Sequence, residues 1–538
     1  MRSAHVDSFA RDNLPPPELL PEFLFELPQL RFPERLNCAA ELLDRPVDEG
    51  RGDRVCIRAP GGSVWTYAAL RERADRIAHV LTAEMGLVPG NRVLLRAANT
   101  PMLAACWFAV IKAGGIAVTT MPLLRAAELR PIVAKARISH ALCDRALVAA
   151  LAEVAAGSDT LRHVMTFGDD AEEGGLEAAM ARQPARFATI DTAADDCCLF
   201  AFTSGTTGVP KATMHFHRDV MAICLCWPRD VLRARPDDVF IGSPPLGFTF
   251  GLGGLLLFPM AIGAATVLID RPTPAVLVDA IREHGASVLF TAPTSYRAMA
   301  ARGAELRGSR LRKCVSAGEP LPAATRAQWR DATGIELIDG LGATELLHIF
   351  ISAREEDSRP GATGTPVPGY RARVVDEAGR ELPRGRIGRL AVKGPTGCRY
   401  LADTRQTDYV RDGWNFTGDA YLVDADGYFH YQARTDDMIV SAGYNIAGPE
   451  VEAALLLHEA VAECGVVGVP DAERGQIVKA HVVLREGHAG DAALVQELQD
   501  FVKRTIAPYK YPRAIVFQRA LPRTETGKLQ RFRLRDLP

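Results

Sequence analysis

Several features are missing from this 538-residue sequence, and each absence narrows the reading. There is no excess charge: 63 Lys+Arg against 65 Asp+Glu leave a formal net charge of −2. No strong field is therefore offered to a nucleic-acid backbone or an anionic membrane. The eleven cysteines include no Cys-x-x-Cys pair. An odd, scattered set argues against a disulfide framework and a zinc site, and for the reducing cytoplasm. The start, M-R-S-A-H-V-D-S-F-A-R-D-N, has no apolar run, so no secretory signal is read there. The G-x-x-x-x-G-K-[ST] loop of the P-loop NTPases is absent. One uncharged stretch, 248–269, has the length of a membrane span but carries Gly251, Gly253, Gly254, Pro259 and Gly263. Those breakers suit a buried loop, helix and strand in succession.

What is present is ordinary globular material, 48% hydrophobic and 24% charged, and long enough for more than one domain. From Val55 onward short apolar strands alternate with amphipathic helices, for example a helix over 71–84, a helix over 104–113 and a strand over 116–120. Such alternation predicts an α/β fold with largely parallel sheets. After Gly361 the segments 372–376 and 388–393 alternate apolar and polar residues between turn signals, which is antiparallel texture. A charged break at A-R-T-D-D-M precedes a small α+β unit. The expected division is a large domain over 1–435, with an antiparallel subdomain at about 361–432, and a small mobile domain over 436–538. Residues 1–50, rich in Pro, Leu and Phe, are expected to wrap the surface.

The most informative stretch is F-T-S-G-T-T-G-V-P-K, from Phe202 to Lys211. Gly205 and Gly208 permit backbone angles that aim successive N–H groups at one point, as phosphate-cradling loops do. Thr203, Ser204, Thr206 and Thr207 add hydroxyls and Lys211 a positive charge. Downstream, Gly340-Leu-Gly-Ala-Thr-Glu follows a short apolar strand. Gly340 and Gly342 allow a flat ligand to approach, and Thr344 and Glu345 end the loop with a hydroxyl and a carboxylate. A carboxylate facing a triphosphate calls for a divalent cation between them. Ser316-Ala-Gly-Glu-Pro ends another apolar strand, where open α/β sheets bind ligands. Asn415-Phe-Thr-Gly-Asp places Asp419 on a turn, able to accept hydrogen bonds from two ribose hydroxyls. Thr526-Gly-Lys528 ends the series with a lysine suited to stabilise developing negative charge. His215 and His217 flank Phe216 with no cysteine or carboxylate partner nearby in sequence, and are read as ordinary hydrogen-bonded histidines. His348 follows the G-A-T-E loop on an expected helix.

In this order and spacing the motifs resemble the adenylate-forming superfamily of acyl- and aryl-CoA ligases, luciferases and peptide-synthetase adenylation domains, from about Asp53 to Lys528. The segments M-H-F-H-R-D-V, P-P-L-G-F-T-F-G-L-G-G and D-G-L-G-A-T-E-L-L-H-I-F look most like benzoate- and 2-aminobenzoate-CoA ligases. The resemblance implies an ATP-, Mg²⁺- and coenzyme A-dependent reaction through an acyl-AMP. In it Thr203 to Lys211 hold the β- and γ-phosphates, with Thr206, Glu345 and Lys528 as the catalytic group and Glu345 as the metal ligand. Asp419 and Arg434 hold the ribose. Gly318, Glu319, Asp339, Gly340 and Leu341 line the adenine pocket, with Gly342 and Thr344 beside them. Asp436 is the hinge about which Gly443 and Tyr444 approach the coenzyme A tunnel. The acid is expected among Phe248, Phe250, Gly251, Ala317 and His348.

This sequence departs from the family pattern in having Leu341 for an adenine-stacking aromatic, P-K-A for P-K-G, S-A-G for S-G-G, and Asn445 for a basic residue. The partners implied are small molecules: a carboxylic acid, ATP and coenzyme A. No nucleic acid or membrane span is implied, and a homodimer is left open. The rival readings are a ligase for a medium-chain or alicyclic acid, an adenylation enzyme loading a separate carrier protein, and a nucleotide-binding protein without catalysis.

Overall fold

The computed structural model describes residues 2–168, 174–203, 210–441, 444–471, 473–523 and 529–537, with Asn445 described by its backbone alone. The strands of these residues form four sheets. The first has six, in the order His163–Phe167, His140–Asp144, Arg92–Arg96, Ile116–Thr120, Cys197–Thr203 and Lys211–Phe216. All neighbours are parallel except the last two, which form an antiparallel hairpin. The second has nine strands. At its centre Leu337–Gly342, Lys313–Ala317, Val288–Thr291, Val239–Gly242, Ala265–Val267 and Val55–Ala59 run parallel.

These strands are apolar runs because helices cover both faces of a parallel sheet. Helix Pro101–Lys112 shows the rule. Thr100 caps it by accepting from Leu103 N–H, Pro101 fixes its first turn, and every residue from Leu103 to Lys112 is buried. The stretch 248–269 resolves as read from its breakers, with short helices Thr249–Leu252 and Phe258–Ile262 and strand Ala265–Val267.

The third sheet is antiparallel, built from Arg371–Val375, Gly388–Lys393, Trp414–Val423, Val410–Arg411 and Phe429–Arg434. The fourth draws all its strands from Ile439–Ser441, Tyr444–Ile446, Val461–Asp471, Gly475–Leu484 and Ala514–Phe517. Helices Gly448–Leu455 and Ala492–Thr505 belong to the same segment. The N-terminal arm bridges the sheets: Asp7 pairs with Arg92 of the first at 2.5 Å, and Leu24 N–H donates to Gly394 beside the third at 2.9 Å. No helix among the described residues is long and apolar enough to cross a membrane.

Two local expectations fail. His348 does not lie on a helix. Leu347 adopts φ 69°, and the chain reverses into strand Ile349–Ser352, which returns antiparallel to Leu337–Gly342. Asp419 does not lie on a turn but inside the long strand Trp414–Val423, directly across from Arg434.

Candidate active site

The site forms where the first hairpin, the loops after the parallel strands and the antiparallel sheet meet. Thr203 and Lys211 are register partners that close the hairpin. Thr203 Oγ1 is buried without a hydrogen-bond partner among the described residues. Ser204, Gly205, Thr206, Thr207 and Gly208, together with Gly443 and Lys528, lie outside the described residues.

Beside the hairpin, Lys211 Nζ stands 3.9 Å from Glu345 Oε1. Between them is a residue that carried no motif, Tyr400. Its hydroxyl donates to Glu345 Oε1 and accepts from Lys211 Nζ at 3.1 Å. Burial and the Glu345 carboxylate push the phenol further above its usual pKa, so it remains a donor. Tyr400 is fixed because its segment is laid along the hairpin. Met214 N–H donates to Arg399 O at 2.8 Å, Leu401 N–H donates to Ala212 O at 2.9 Å, and Gln406 Oε1 accepts from Tyr400 N–H at 2.8 Å.

A second buried network supports the same place. His215 Nε2 donates to Thr344 O at 2.9 Å, tying the hairpin to the residue before Glu345. Behind it Asp219 takes Arg399 at 2.5 Å. Burial opposes the Asp219 charge, but Arg399 and His215 outweigh it and hold the carboxyl well below its usual range. His217 is hydrogen-bonded as read from the sequence, but Cys38 and Cys198, remote from it in sequence, stand beside it, the three side-chain atoms lying within 4.8 Å of one another. Its Nδ1 already accepts the Cys38 N–H at 3.2 Å.

The adenine-side residues converge at the ends of two parallel strands, with Ser316 across from Asp339 and Ala317 across from Gly340. Gly318 follows with φ 90°, a conformation that favours glycine. Glu319 accepts from Thr294 Oγ1 and faces Arg523 at 3.6 Å. Burial pushes the Asp339 carboxyl up to about 7, against the pull of Arg326. Leu341 packs on the core. The glycines here serve the fold more than a flat ligand. A Cβ on Gly340 would lie 2.5 Å from Ile349 Cδ1, and one on Gly342 3.0 Å from His348 O, so both admit the returning strand.

Asp419 and Arg434, opposite each other in register, pair at 3.2 Å, and Arg434 also donates to Thr417 O at 2.9 Å. Burial raises the Asp419 pKa and Arg434 partly offsets this. The guanidinium lies over Gly418, where a Cβ would meet Nη2 at 2.5 Å. Asp436 follows, 3.6 Å from Arg434 Nε, with its carbonyl accepting from Arg535 at 3.2 Å. Tyr444 is 54% exposed and stacks on Tyr509 at 4.7 Å.

The acid-side residues divide. Phe250 lies 5.8 Å from the His348 ring and 5.6 Å from Phe290. Trp227 and Phe258 complete the surround of His348, at 5.9 and 4.5 Å. Among the described residues no group meets full hydrogen-bond geometry with either buried His348 ring nitrogen; burial lowers its pKa to about 3 against a weaker opposing pull from the Phe250 backbone, so the ring is neutral. Phe248 instead faces a narrow recess with Thr119, Ala201 and Leu246. The acid was expected beside Gly251, among Phe248, Phe250, Ala317 and His348, but the space along this glycine run is not left open. It is filled by the protein: Cβ atoms on Gly253 and Gly254 would strike His348 and Phe290, and one on Gly251 would strike the Pro245 carbonyl. Ala317 is buried at its strand end.

The hairpin closed by Thr203 and Lys211, the Lys211–Glu345 pair and the Asp419–Arg434 pair come together on one α/β frame, an arrangement that suits a nucleotide-using enzyme. The model of the AMP-binding enzyme family matches residues 44–400, and that of the AMP-binding enzyme C-terminal domain matches 450–528. The chain belongs to the AMP-binding enzyme family. It is 37% identical to the benzoate–CoA ligase of Thauera aromatica, over 95% of this chain and 97% of that protein. It is 35% identical to a 4-hydroxybenzoate–CoA/benzoate–CoA ligase of Rhodopseudomonas palustris, over 93% and 94%. Among solved structures, the anthranilate CoA ligase AuaEII in complex with anthranoyl-AMP superposes with a TM-score of 0.89 at 32% identity, covering 95% of this chain and 98% of that one. A benzoate CoA ligase from Burkholderia xenovorans superposes with a TM-score of 0.85 at 32% identity, covering 93% and 99%.

Proposed function

We propose that this protein is an AMP-forming acid:CoA ligase acting on a small aromatic acid, benzoate or 2-aminobenzoate. In the first half-reaction a carboxylate oxygen of the acid attacks the α-phosphorus of ATP and pyrophosphate leaves. In the second the coenzyme A thiol attacks the acyl carbon and AMP leaves.

Lys211 and the loop before it bind phosphate oxygens. Asp419, oriented by Arg434, accepts from the ribose hydroxyls. A divalent cation fits at Glu345. This carboxylate is nearly buried, its Oε1 is engaged by Tyr400 and Lys211, and its Oε2 takes no hydrogen bond among the described residues. Mg²⁺ uses one or two carboxylates plus phosphate oxygens, and when bound it neutralises phosphate charge. Lys528 is assigned to the carboxylate and α-phosphate of the first step, and Asp436 to the pivot that then brings Gly443 and Tyr444 to coenzyme A.

The observation that carries the substrate class is that Glu345 and His348 share one short loop. The nucleotide side therefore adjoins an aromatic enclosure containing Phe250, Phe290 and a neutral His348. Ring-on-ring contacts add about 0.5–1.5 kcal/mol beyond area burial, favouring an aryl acid over an aliphatic one of equal volume. The neutral His348 ring carries one acceptor nitrogen, which suits a hydrogen bond from a ring substituent such as a 2-amino group.

The test is pyrophosphate release with ATP, Mg²⁺ and a panel of acids, followed by CoA-dependent AMP release. Benzoate or 2-aminobenzoate should exceed octanoate in kcat/KM by at least about tenfold, the equivalent of about 1.4 kcal/mol. A preference for octanoate refutes the aromatic assignment, and AMP release indifferent to coenzyme A refutes the ligase.

A further inference from the structure

We propose that Tyr400 is a positioning residue for the nucleotide step: its hydroxyl stands between Lys211 and Glu345 and keeps this ion pair from closing to direct hydrogen-bond contact. The inference rests on the nucleotide site described under the proposed function. Lysine and carboxylate are 3.9 Å apart, inside the range of attraction but beyond a hydrogen bond. Both are largely withdrawn from water, with side chains 24% and 9% exposed, so little solvent screening opposes their collapse. Two functions would be lost by collapse. The ammonium could not reach a phosphate, and the carboxylate could not turn an oxygen toward a divalent cation.

The phenol prevents this by satisfying both groups at once, as acceptor to Nζ and donor to Oε1. A phenol suits the post because it is neutral and can serve both roles. It is also held from several sides. The backbone on each side of Tyr400 is hydrogen-bonded to the hairpin strand that begins at Lys211, Gln406 holds its N–H, and its ring packs against Tyr409 at 5.7 Å. The ring also lies under the ammonium, with Nζ 5.1 Å from the centroid. A side chain needed only for packing would not require its hydroxyl at this meeting point.

Tyr400→Phe keeps the ring and removes the bridge. The expected result is a rise of about tenfold in the dissociation constant for MgATP by calorimetry, the scale of one charge-assisted hydrogen bond. The Mg²⁺ concentration for half-maximal pyrophosphate release should rise with it, as should KM for ATP. KM for the acid, and thioester formation from supplied acyl-AMP, should stay at wild-type values. In a Lys211→Met background no ammonium remains to collapse, so adding Tyr400→Phe should leave MgATP binding unchanged. A folded Tyr400→Phe protein with unaltered MgATP affinity and Mg²⁺ requirement overturns the proposal. So does an equal effect in the Lys211→Met background. If the wild type activates none of the acids, the ligase reading fails on its own. The calorimetric comparison still decides the role of Tyr400.

Discussion

Gly253→Ala tests which occupant the glycine run accommodates. An added Cβ would sit 2.4 Å from His348 Cδ2, 2.8 Å from Nε2 and 3.2 Å from Phe258 Cζ, all within a buried cluster. Real Cβ contacts are not found below about 3 Å, so the imidazole or the backbone must shift. Overpacking of this kind costs about 1–3 kcal/mol, and each kcal/mol lowers Tm by roughly 2–4 °C for a unit of 150–250 residues. The imidazole is enclosed by Trp227, Phe250 and Phe258 at 5.9, 5.8 and 4.5 Å, and under the proposed function a displaced ring disturbs the acid site. Acid KM should therefore rise while KM for ATP holds. A double-mutant cycle makes the argument specific. His348→Ala alone should destabilise by leaving a cavity, but Gly253→Ala added to it should cost little, because the clashing ring is gone. The coupling should be in the range of about 0.5–3 kcal/mol seen for residues in contact, measured by denaturant titration. Strict additivity would falsify the view that His348 fills the space over Gly253.

The remaining tests address the reaction cycle and the imidazole. Lys528→Ala should lose roughly 10²–10³-fold in pyrophosphate release, the scale of one preorganised charge-stabilising donor, and much less in thioester formation from supplied acyl-AMP; equal losses would remove the two-conformation account. Asp436→Pro fixes φ near −65° and should leave adenylation in place while thioester formation falls; wild-type turnover of the complete reaction would put the pivot elsewhere. The His348 pKa is lowered by burial from 6.5 to about 3. Between those values the unfolded chain binds a proton that the native chain does not, so stability falls as pH drops below 6.5. Replacement by Leu should flatten that acid limb, and identical limbs in wild type and His348→Leu would show that the ring is not buried neutral.

The strand–helix alternation and the change to antiparallel texture were legible in the sequence because both rest on local periodicity. The expected strand over 116–120 coincides with Ile116–Thr120, and a parallel sheet covered on both faces leaves little alternative for so apolar a run. Motif residues drew notice where polar groups are concentrated, and the structure brings two of them, Lys211 and Glu345, to 3.9 Å of each other. Tyr400 was not, because its partners Glu345 and Lys211 lie 55 and 189 residues away and nothing in R-Y-L announces them. His348 was placed on a helix because T-E-L-L-H-I-F has helical spacing. Pairing with the sheet edge overrides that propensity by taking Leu347 into a positive φ. Gly340 and Gly342 were read as room for a flat ligand for a related reason: a missing side chain marks close approach, but sequence does not say whether ligand or protein approaches, and here Ile349 and His348 do.

The distribution of apolar contacts supports the proposed pivot. Among the described residues every hydrophobic cluster lies wholly on one side of Asp436. Ile439, Val451, Val466, Val482 and Leu498 belong to a core of their own, and the largest cluster ends at Tyr431. Polar contacts bridge the two sides: Arg297 Nη1 donates to Ala462 O at 3.3 Å, and Arg523 faces Glu319 at 3.6 Å. Such pairs, partly open to water, contribute about 0–1 kcal/mol each, so releasing them costs far less than opening a core. Arg523 also bonds Glu463 on its own side, so it keeps a partner when Glu319 is left behind. A unit with its own core, polar ties of this kind and an exposed Tyr444 beside Tyr509 suits the rotation about Asp436 proposed above. Under that proposal the weak interface would leave it to successive ligands, rather than the fold, to decide which face meets the site.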